Sequence, residues 1–467
     1  MKNIYVKDII SKFNGQLLTG DANTILENFS KDTRIIKEND TYLGIKGEKF
    51  DGNLFYKDAL DKGAKCCILD NIDPSSIPDK YKDKTIIKVP NTIECLQQLA
   101  TLKRSYYQIP VIAITGSVGK TSTKDIIYEV VSQKYKTLKT EANLNNHIGL
   151  PLTILKLKDH EALVVEMGMN HLGEISLLTK IAKPTIAIIT NIGTAHIGNL
   201  GSRENILKAK LEITETLSQS NTLIINNDND LLQSVADKLK TKYNLVTVGI
   251  KNKSTYNATN IQDNIFSSTF QIGKNSLTIN VGSQAFIYNA LVAYAVGQEL
   301  SIPTLAIIKA ISNFKLSHHR LEKITTKNNL TIIDDTYNAN LDSMLNALDL
   351  LKQVKNKRRV AILGDILELG EYSKKIHCQI GEHITNDTLD LLITVGQNSK
   401  YLATEAIKNG LSSNKVYSYL NYQEVIEAID NLLLPNDLIL IKASHGMNLI
   451  KIVDYLQKWL FHKTVQN

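Results

Sequence analysis

Val111-Ile112-Ala113-Ile114-Thr115-Gly116-Ser117-Val118-Gly119-Lys120-Thr121-Ser122 is the stretch that decides the fold. Its apolar, β-branched start reads as a strand buried on both faces, and a helix is expected from Ser122 to Gln133. Between them two glycines let the backbone wrap closely around phosphate oxygens, and the helix N-terminus aims free N–H groups at the same place. Lys120 is suited to neutralising the β/γ-phosphates of ATP or GTP, and the Thr121 hydroxyl to ligating Mg²⁺. The nucleotide-binding set read from this loop is Thr115, Gly116, Ser117, Val118, Gly119, Lys120, Thr121 and Ser122. The loop is a shortened form of the common phosphate-binding pattern, because Ile114 stands where the first Gly of the longer form falls. A chance Gly/Lys turn is the bland alternative; the strand before it and the helix after it argue against that.

Outward from the loop the same rhythm repeats. Short apolar runs occupy Ala162 to Glu166, Thr185 to Thr190, Thr222 to Asn226, Leu330 to Asp334, Val360 to Leu363, Leu391 to Val395 and Leu438 to Ile441. Helix-like stretches such as Glu204 to Leu217 and Ser343 to Leu351 lie between them. This alternation predicts an α/β fold with parallel sheets covered by helices, in which ligands gather beyond the carboxyl ends of the strands. The pattern shifts near Pro110 and again near Ser317-His318-His319-Arg320. Three domains follow, over 1–105, 106–318 and 319–467.

The chain's 467 residues exceed what one hydrophobic core usually serves. Its 54 basic and 47 acidic residues give a net charge of only +7, spread along the chain without a dense Lys/Arg block. No nucleic-acid partner is indicated. Cys66, Cys67, Cys95 and Cys378 form no Cys-x-x-Cys pair and suggest no disulfide framework, so reduced thiols in a cytoplasmic protein are expected. The first ten residues carry Lys2, Lys7 and Asp8 and do not read as a secretory signal, and no run is apolar and long enough to span a membrane.

Two strand ends look directed at a metal. Glu166 closes its apolar run before Met167-Gly168-Met169-Asn170, where a carboxylate can hold Mg²⁺ opposite the phosphate loop. His196 ends Thr190-Asn191-Ile192-Gly193-Thr194-Ala195-His196. A lone His is more often neither a ligand nor a phosphate contact, but its place beyond a strand end favours one of these.

Together these pieces resemble the Mur ligase family, ATP-dependent amide-forming enzymes of peptidoglycan precursor synthesis. The shortened phosphate loop, Glu166, the segment Asn191 to His196 and Lys208-Ala209-Lys210-Leu211-Glu212 follow that family's order and spacing, and Thr140 to Asn146 with Gly149-Leu150-Pro151 resembles its substrate-side loop. Asp334-Asp335-Thr336-Tyr337-Asn338-Ala339-Asn340 and Gly364-Asp365-Ile366-Leu367-Glu368-Leu369-Gly370, followed by His377, are similar to the members that add a dipeptide rather than a single amino acid. Asp32-Thr33-Arg34 and Gly47-Glu48-Lys49-Phe50-Asp51-Gly52 resemble the family's uridine-nucleotide domain.

The resemblance implies an N-terminal UDP-sugar domain, a central phosphate-loop ATPase domain and a C-terminal Rossmann-like domain. It implies a monomer that uses ATP, two Mg²⁺ ions and a carbamate on Lys210 to join D-Ala-D-Ala to a UDP-MurNAc-tripeptide ending in lysine or diaminopimelate. By resemblance Lys120, Lys210 and His196 are catalytic, and Thr121, Glu166, His196 and Lys210 hold metal. Asn289, Arg320 and Asp335 join the ATP site. Thr33, Arg34, Gly47, Asn143 and Asn145 meet the UDP substrate, and Asp334, Tyr337, Asn338 and Asn340 lie on the D-Ala-D-Ala side. From the residues alone Lys210 reads as a solvated helical lysine.

The chain departs from the family's pattern at several points. Ala285 stands where a His is usual, His319 where a Gly precedes Arg320, and Leu341 where a Pro follows Asn340. Ala443 and His445 replace Gly and Arg around Lys442-x-Ser444. His does not make the bidentate contact with a carboxylate that Arg makes, so position 445 is not assigned to the dipeptide carboxylate. The competing readings are an amide ligase that adds single amino acids or glutamates to folate, and a non-catalytic nucleotide-binding protein.

Overall fold

The computed structural model describes residues 3–48, 50–316, 319–326 and 329–458. Lys49 of the uridine-side motif and Ser317-His318 of the second pattern shift lie outside these residues. Among the described residues no helix is long and apolar enough to cross a membrane.

The strand Val111–Thr115 is buried along its whole length and sits inside a nine-stranded sheet. Ala162–Glu166 pairs with it in parallel on one side, followed by Thr137–Lys139 at the edge. On the other side come Ile186–Ile189, Thr222–Asn226, Asn244–Gly249 and Tyr256–Asn264, all parallel. Ser267–Ile272 and Asn275–Ile279 finish the sheet antiparallel. The chain thus fills one side of Val111–Thr115 first, edge strand before inner strand, and then the other. That reversal opens a crevice between the ends of Val111–Thr115 and Ile186–Ile189, the usual place for a ligand in an open parallel sheet.

A five-stranded sheet precedes it, ordered Gln16–Thr19, Thr85–Lys88, Cys66–Leu69, Thr41–Gly44, Phe29–Ser30, with only its first pairing antiparallel. A six-stranded sheet follows, ordered Glu322–Thr325, Thr331–Asp335, Leu438–Lys442, Arg359–Gly364, Leu391–Val395, Val416–Tyr419, again with one antiparallel edge. Asp335 and Lys442 are register partners at the carboxyl end of this sheet. Apolar residues of these three larger sheets, from Leu43 through Val111 and Leu163 to Leu363, belong to one contiguous buried cluster.

The expected strands appear within a residue or two. The expected helix over 204–217 is shorter: Arg203–Leu211 is α-helical and Glu212–Thr214 tightens to a 3₁₀ turn. Glu212 is recruited elsewhere there, accepting from the backbone N–H groups of Gly173 at 2.8 Å and Ser176 at 3.0 Å, and so caps the helix Glu174–Ala182. The helix after the phosphate loop starts at Lys120, two residues before the expected start. Cys66, Cys67, Cys95 and Cys378 are free thiols.

Candidate functional site

The turn after Val111–Thr115 needs glycine twice. Gly116 has φ +152° and a Cβ there would collide with Thr190 Oγ1; Gly119 has φ +82° and packs against Asn289, whose Oδ1 would be 3.1 Å from a Cβ. The loop is braced by the neighbouring strand end. Thr190 Oγ1 donates to the Val118 carbonyl at 2.7 Å, and Asn191 Oδ1 accepts from the backbone N–H of Ser117 at 3.0 Å and of Val118 at 2.9 Å. Ser117 Oγ accepts from Gly193 N–H at 2.9 Å. The first amides of the helix Lys120–Val131 are left without intrahelical acceptors and point into the crevice, where an anion suits them.

Lys120 folds back so that Nζ donates to the Gly116 carbonyl at 2.8 Å. Burial pulls its pKa below the ordinary lysine value, Arg320 adds to this, and Glu166 opposes it. Thr121 Oγ1 donates to Glu166 Oε2 at 2.9 Å, and Asn145 Nδ2 donates to Glu166 Oε1 at 2.8 Å. Asn289 Oδ1 accepts from Thr123 Oγ1 at 3.0 Å beneath the loop. Thr115 is fully buried below these residues and supports the turn from inside.

His196 stands at φ +63° before the short helix Ile197–Leu200. Burial, with help from Lys120 and Lys210, pushes its pKa down to about 4, so the imidazole is neutral at physiological pH. Lys210 is 1% exposed. Its position on Arg203–Leu211 faces inward, against the reading from its charged neighbours in sequence. Burial first, and Lys120 second, push its pKa well below the lysine value. No carboxylate pairs with it among the described residues.

The C-terminal sheet closes the other side. Arg320 lays its guanidinium 3.8 Å from the centroid of the Tyr337 ring and donates from Nη2 to Thr121 Oγ1 at 3.1 Å. Tyr337 also lies against His445, with ring centroids 6.2 Å apart. Lys442 is buried, pairs with Asp335 Oδ2 at 2.7 Å and donates to the Asn338 carbonyl at 2.9 Å. Asn340 caps the helix Leu341–Lys352, its Oδ1 accepting from Ser343 N–H at 2.9 Å. Leu341 takes the first helical position, where a proline's missing N–H is never needed, so the exchange is cheap.

A cleft of about 640 Å³ gathers Ser117 to Ser122, Asn143, Asn145, Glu166, His196, Asn289, Arg320, Asp335, Tyr337, Asn338 and Asn340. Several expected residues lie apart from it. Lys210 is buried and does not line it. Asp334 is fully buried and its carboxylate is taken by Thr336 N–H at 3.0 Å, Thr336 Oγ1 at 2.7 Å and the His319 ring at 2.7 Å. His319 has φ +64°, a left-handed conformation that glycine takes more readily. Thr33, Arg34 and Gly47 belong to the five-stranded sheet's loops. The Arg34 side chain is 85% exposed and paired with Asp32 at 2.7 Å, and Gly47 N–H donates to the Phe50 carbonyl at 2.9 Å. The pairing of Lys442 with Asp335 and the bracing role of Asn191 carry no signal of their own in the sequence, although each residue stands at the end of an apolar run.

Comparison with known proteins agrees with this arrangement. The Mur ligase middle domain matches residues 114–297, and the Mur ligase, glutamate ligase domain matches residues 319–445. The UDP-N-acetylmuramoyl-tripeptide–D-alanyl-D-alanine ligase of Bacillus subtilis (strain 168) is 36% identical over 453 residues, spanning 96% of this chain and 97% of its own. Among solved structures, MurF from Acinetobacter baumannii superposes with a TM-score of 0.88 at 28% identity, covering 98% of this chain and 100% of the other. MurF ligase from Thermotoga maritima in complex with ADP gives a TM-score of 0.79 at 25% identity, covering 92% and 97%.

Proposed function

The chain belongs to the Mur ligase family, and from that premise we propose that it is an ATP-dependent ligase joining D-alanyl-D-alanine to UDP-N-acetylmuramoyl-tripeptide in peptidoglycan synthesis. The observation that carries this reading is the 36% identity to an enzyme of that name across 97% of its length, on a chain whose phosphate loop, Glu166 and His196 share one cleft with Asp335 and Tyr337. In this reading residues 1–105 hold the UDP-sugar end, 106–318 hold ATP and 319–467 bind the dipeptide. Its substrates place the reaction in the cytoplasm, with the chain acting as a monomer.

A carboxylate does not condense with an amine in neutral water without activation. In the proposed reaction the γ-phosphoryl group of ATP passes to the tripeptide's terminal carboxylate, giving an acyl phosphate. The D-Ala-D-Ala amine attacks its carbonyl carbon, and the tetrahedral intermediate expels phosphate. Two anions must meet in the first step, so cations have to screen both. Lys120 and the amides after it hold the phosphates, with Ser117 to Ser122 forming the cradle and Asn289 packed under Gly119. Arg320 adds a second fixed positive charge from the opposite wall, and Asp335, held by Lys442, lies toward the ribose. Asn143 and Asn145 lie toward the tripeptide; Thr33, Arg34 and Gly47 are assigned to the uridine end, and Tyr337, Asn338 and Asn340 to the dipeptide end.

The donor set fits one Mg²⁺ directly: Thr121 and Glu166 supply hard oxygens across from the phosphate loop. The second set, His196 and Lys210, fits only if Lys210 is carbamylated, since an ammonium repels a cation. A buried lysine without an acidic partner, its pKa pushed far down, exposes the unprotonated amine that adds to CO₂. Bound Mg²⁺ supplies screening of the phosphate oxygens. ADP formation with ATP, UDP-MurNAc-tripeptide and D-Ala-D-Ala, each omitted in turn, tests the function. Dependence on both co-substrates is expected; turnover that ignores D-Ala-D-Ala, or that prefers a free amino acid, would sink it.

A further inference from the structure

The short helix Ile197–Leu200 is gripped at three points by the segment that follows the strand Arg359–Gly364. At its start, His196 Nδ1 is buried without a hydrogen-bond partner and lies 3.7 Å from Glu368 Oε2. In its middle, Gly198 meets backbone so closely that a Cβ would stand 2.8 Å from the Glu368 carbonyl oxygen and 3.2 Å from the Leu369 carbonyl carbon. At its end, Tyr372 Oη donates to the Gly201 carbonyl at 2.9 Å. Ile197, Leu200 and Leu369 are buried in the same apolar cluster.

Glu368 itself is out of keeping with an ordinary turn. It holds φ +64°, a conformation that Gly, Asn or Asp adopts far more readily. The turn therefore does not explain the choice of glutamate. Its side chain is 70% exposed, and its carboxylate is in reach of His196 alone among the described residues. A neutral imidazole carries one N–H. A carboxylate on one ring nitrogen fixes the proton there and leaves the lone pair on the other, the usual support for a metal-binding His. With Nδ1 turned toward Glu368, Nε2 is the nitrogen left for the cleft that His196 lines. Closing 3.7 Å to a hydrogen bond of about 2.9 Å takes less than about 1 Å of movement by a side chain with room to turn.

We propose that Glu368 is a positioning residue for His196: docking of the C-terminal sheet on Ile197–Leu200 brings its carboxylate to Nδ1 and so completes the second cation position. Nucleotide chemistry is thereby tied to closure of the dipeptide-binding half, which delays activation of the carboxylate until the amine's side of the cleft is in place. This inference rests on the reading of His196 as a cation ligand.

Mn²⁺ binding to the full-length enzyme, with a non-hydrolysable ATP analogue and UDP-MurNAc-tripeptide present, tests it by electron paramagnetic resonance. Glu368→Ala is expected to weaken one of two bound Mn²⁺ by about tenfold or more and to leave the other unchanged. Glu368→Gln, whose side-chain carbonyl still accepts from Nδ1–H, is expected to lose less than about threefold. Tyr372→Phe, which loosens the grip without touching the carboxylate, should weaken the same ion and spare the other. If Glu368→Ala leaves both ions unchanged while His196→Ala loses one, the positioning role is wrong and the ligand reading of His196 stands. If His196→Ala also keeps both ions, the ligand reading fails and this inference falls with it.

Discussion

Arg320 donates to Thr121 Oγ1 at 3.1 Å, and the same hydroxyl donates to Glu166 Oε2 at 2.9 Å. A residue from the edge of the six-stranded sheet thus touches the phosphate loop of the nine-stranded one. Its guanidinium plane is fixed by the Tyr337 ring 3.8 Å away, so the charge is aimed before any anion arrives.

The flat, stacked guanidinium is what matters there, since lysine carries the charge without the plane. Arg320→Lys is expected to lower kcat by on the order of 10²-fold with little change in thermal stability. Tyr337→Phe keeps the ring face and should cost little, whereas Tyr337→Ala should follow Arg320→Lys. ADP release under saturating substrates measures this; Arg320→Lys within about twofold of the parent would remove Arg320 from the chemistry.

The sheet strands and the phosphate loop were legible because their signals are local. Unbroken Ile/Val runs report burial on both faces, and Gly116 and Gly119 report backbone that only glycine takes easily. Strand-end residues such as Glu166 could be found by the same rule. Lys210 was not legible, since its flanks Lys208 and Glu212 suggest a solvated face; its burial is decided by the tertiary packing of Arg203–Leu211. Asp334 and Asp335 were both named from the sequence; strand alternation sends such neighbours to opposite faces, but only the packing decides which of the two meets the cleft. The first is locked beneath Thr336 and the second meets Lys442 at the cleft.

Lys210 couples two properties that pull apart. A buried lysine without a counter-charge is costly, because its amine has to give up its proton to stay there, so in bicarbonate-free buffer Lys210→Met is expected to raise stability. The same change should abolish turnover, and Lys210→Ala should regain part of it with an added short-chain carboxylate. Urea unfolding and ADP release read the two halves. Turnover retained in Lys210→Met would exclude the carbamate.

Gly116 tests the brace. Its Cβ would strike Thr190 Oγ1, the atom that holds the Val118 carbonyl at 2.7 Å. Gly116→Ala is expected to cost about 1–3 kcal/mol and to raise the KM for ATP. In a Thr190→Ala background the collision is relieved, so the second substitution should cost less than it does alone. Additive costs would place the clash elsewhere.

His196 makes stability depend on pH in a calculable direction. Its pKa is about 4 in the fold against an ordinary value of 6.5. Above pH 6.5 the ring is neutral in both states and contributes no slope. Between 6.5 and about 4 the unfolded chain takes up a proton that the fold does not, so stability falls as pH falls, by up to about 3 kcal/mol in total. In His196→Gln this part of the slope disappears. Urea unfolding of both proteins without Mg²⁺, at pH 4.5 and pH 7.5, measures the difference directly. Equal pH slopes for the two would mean that the half-buried imidazole titrates normally in the fold.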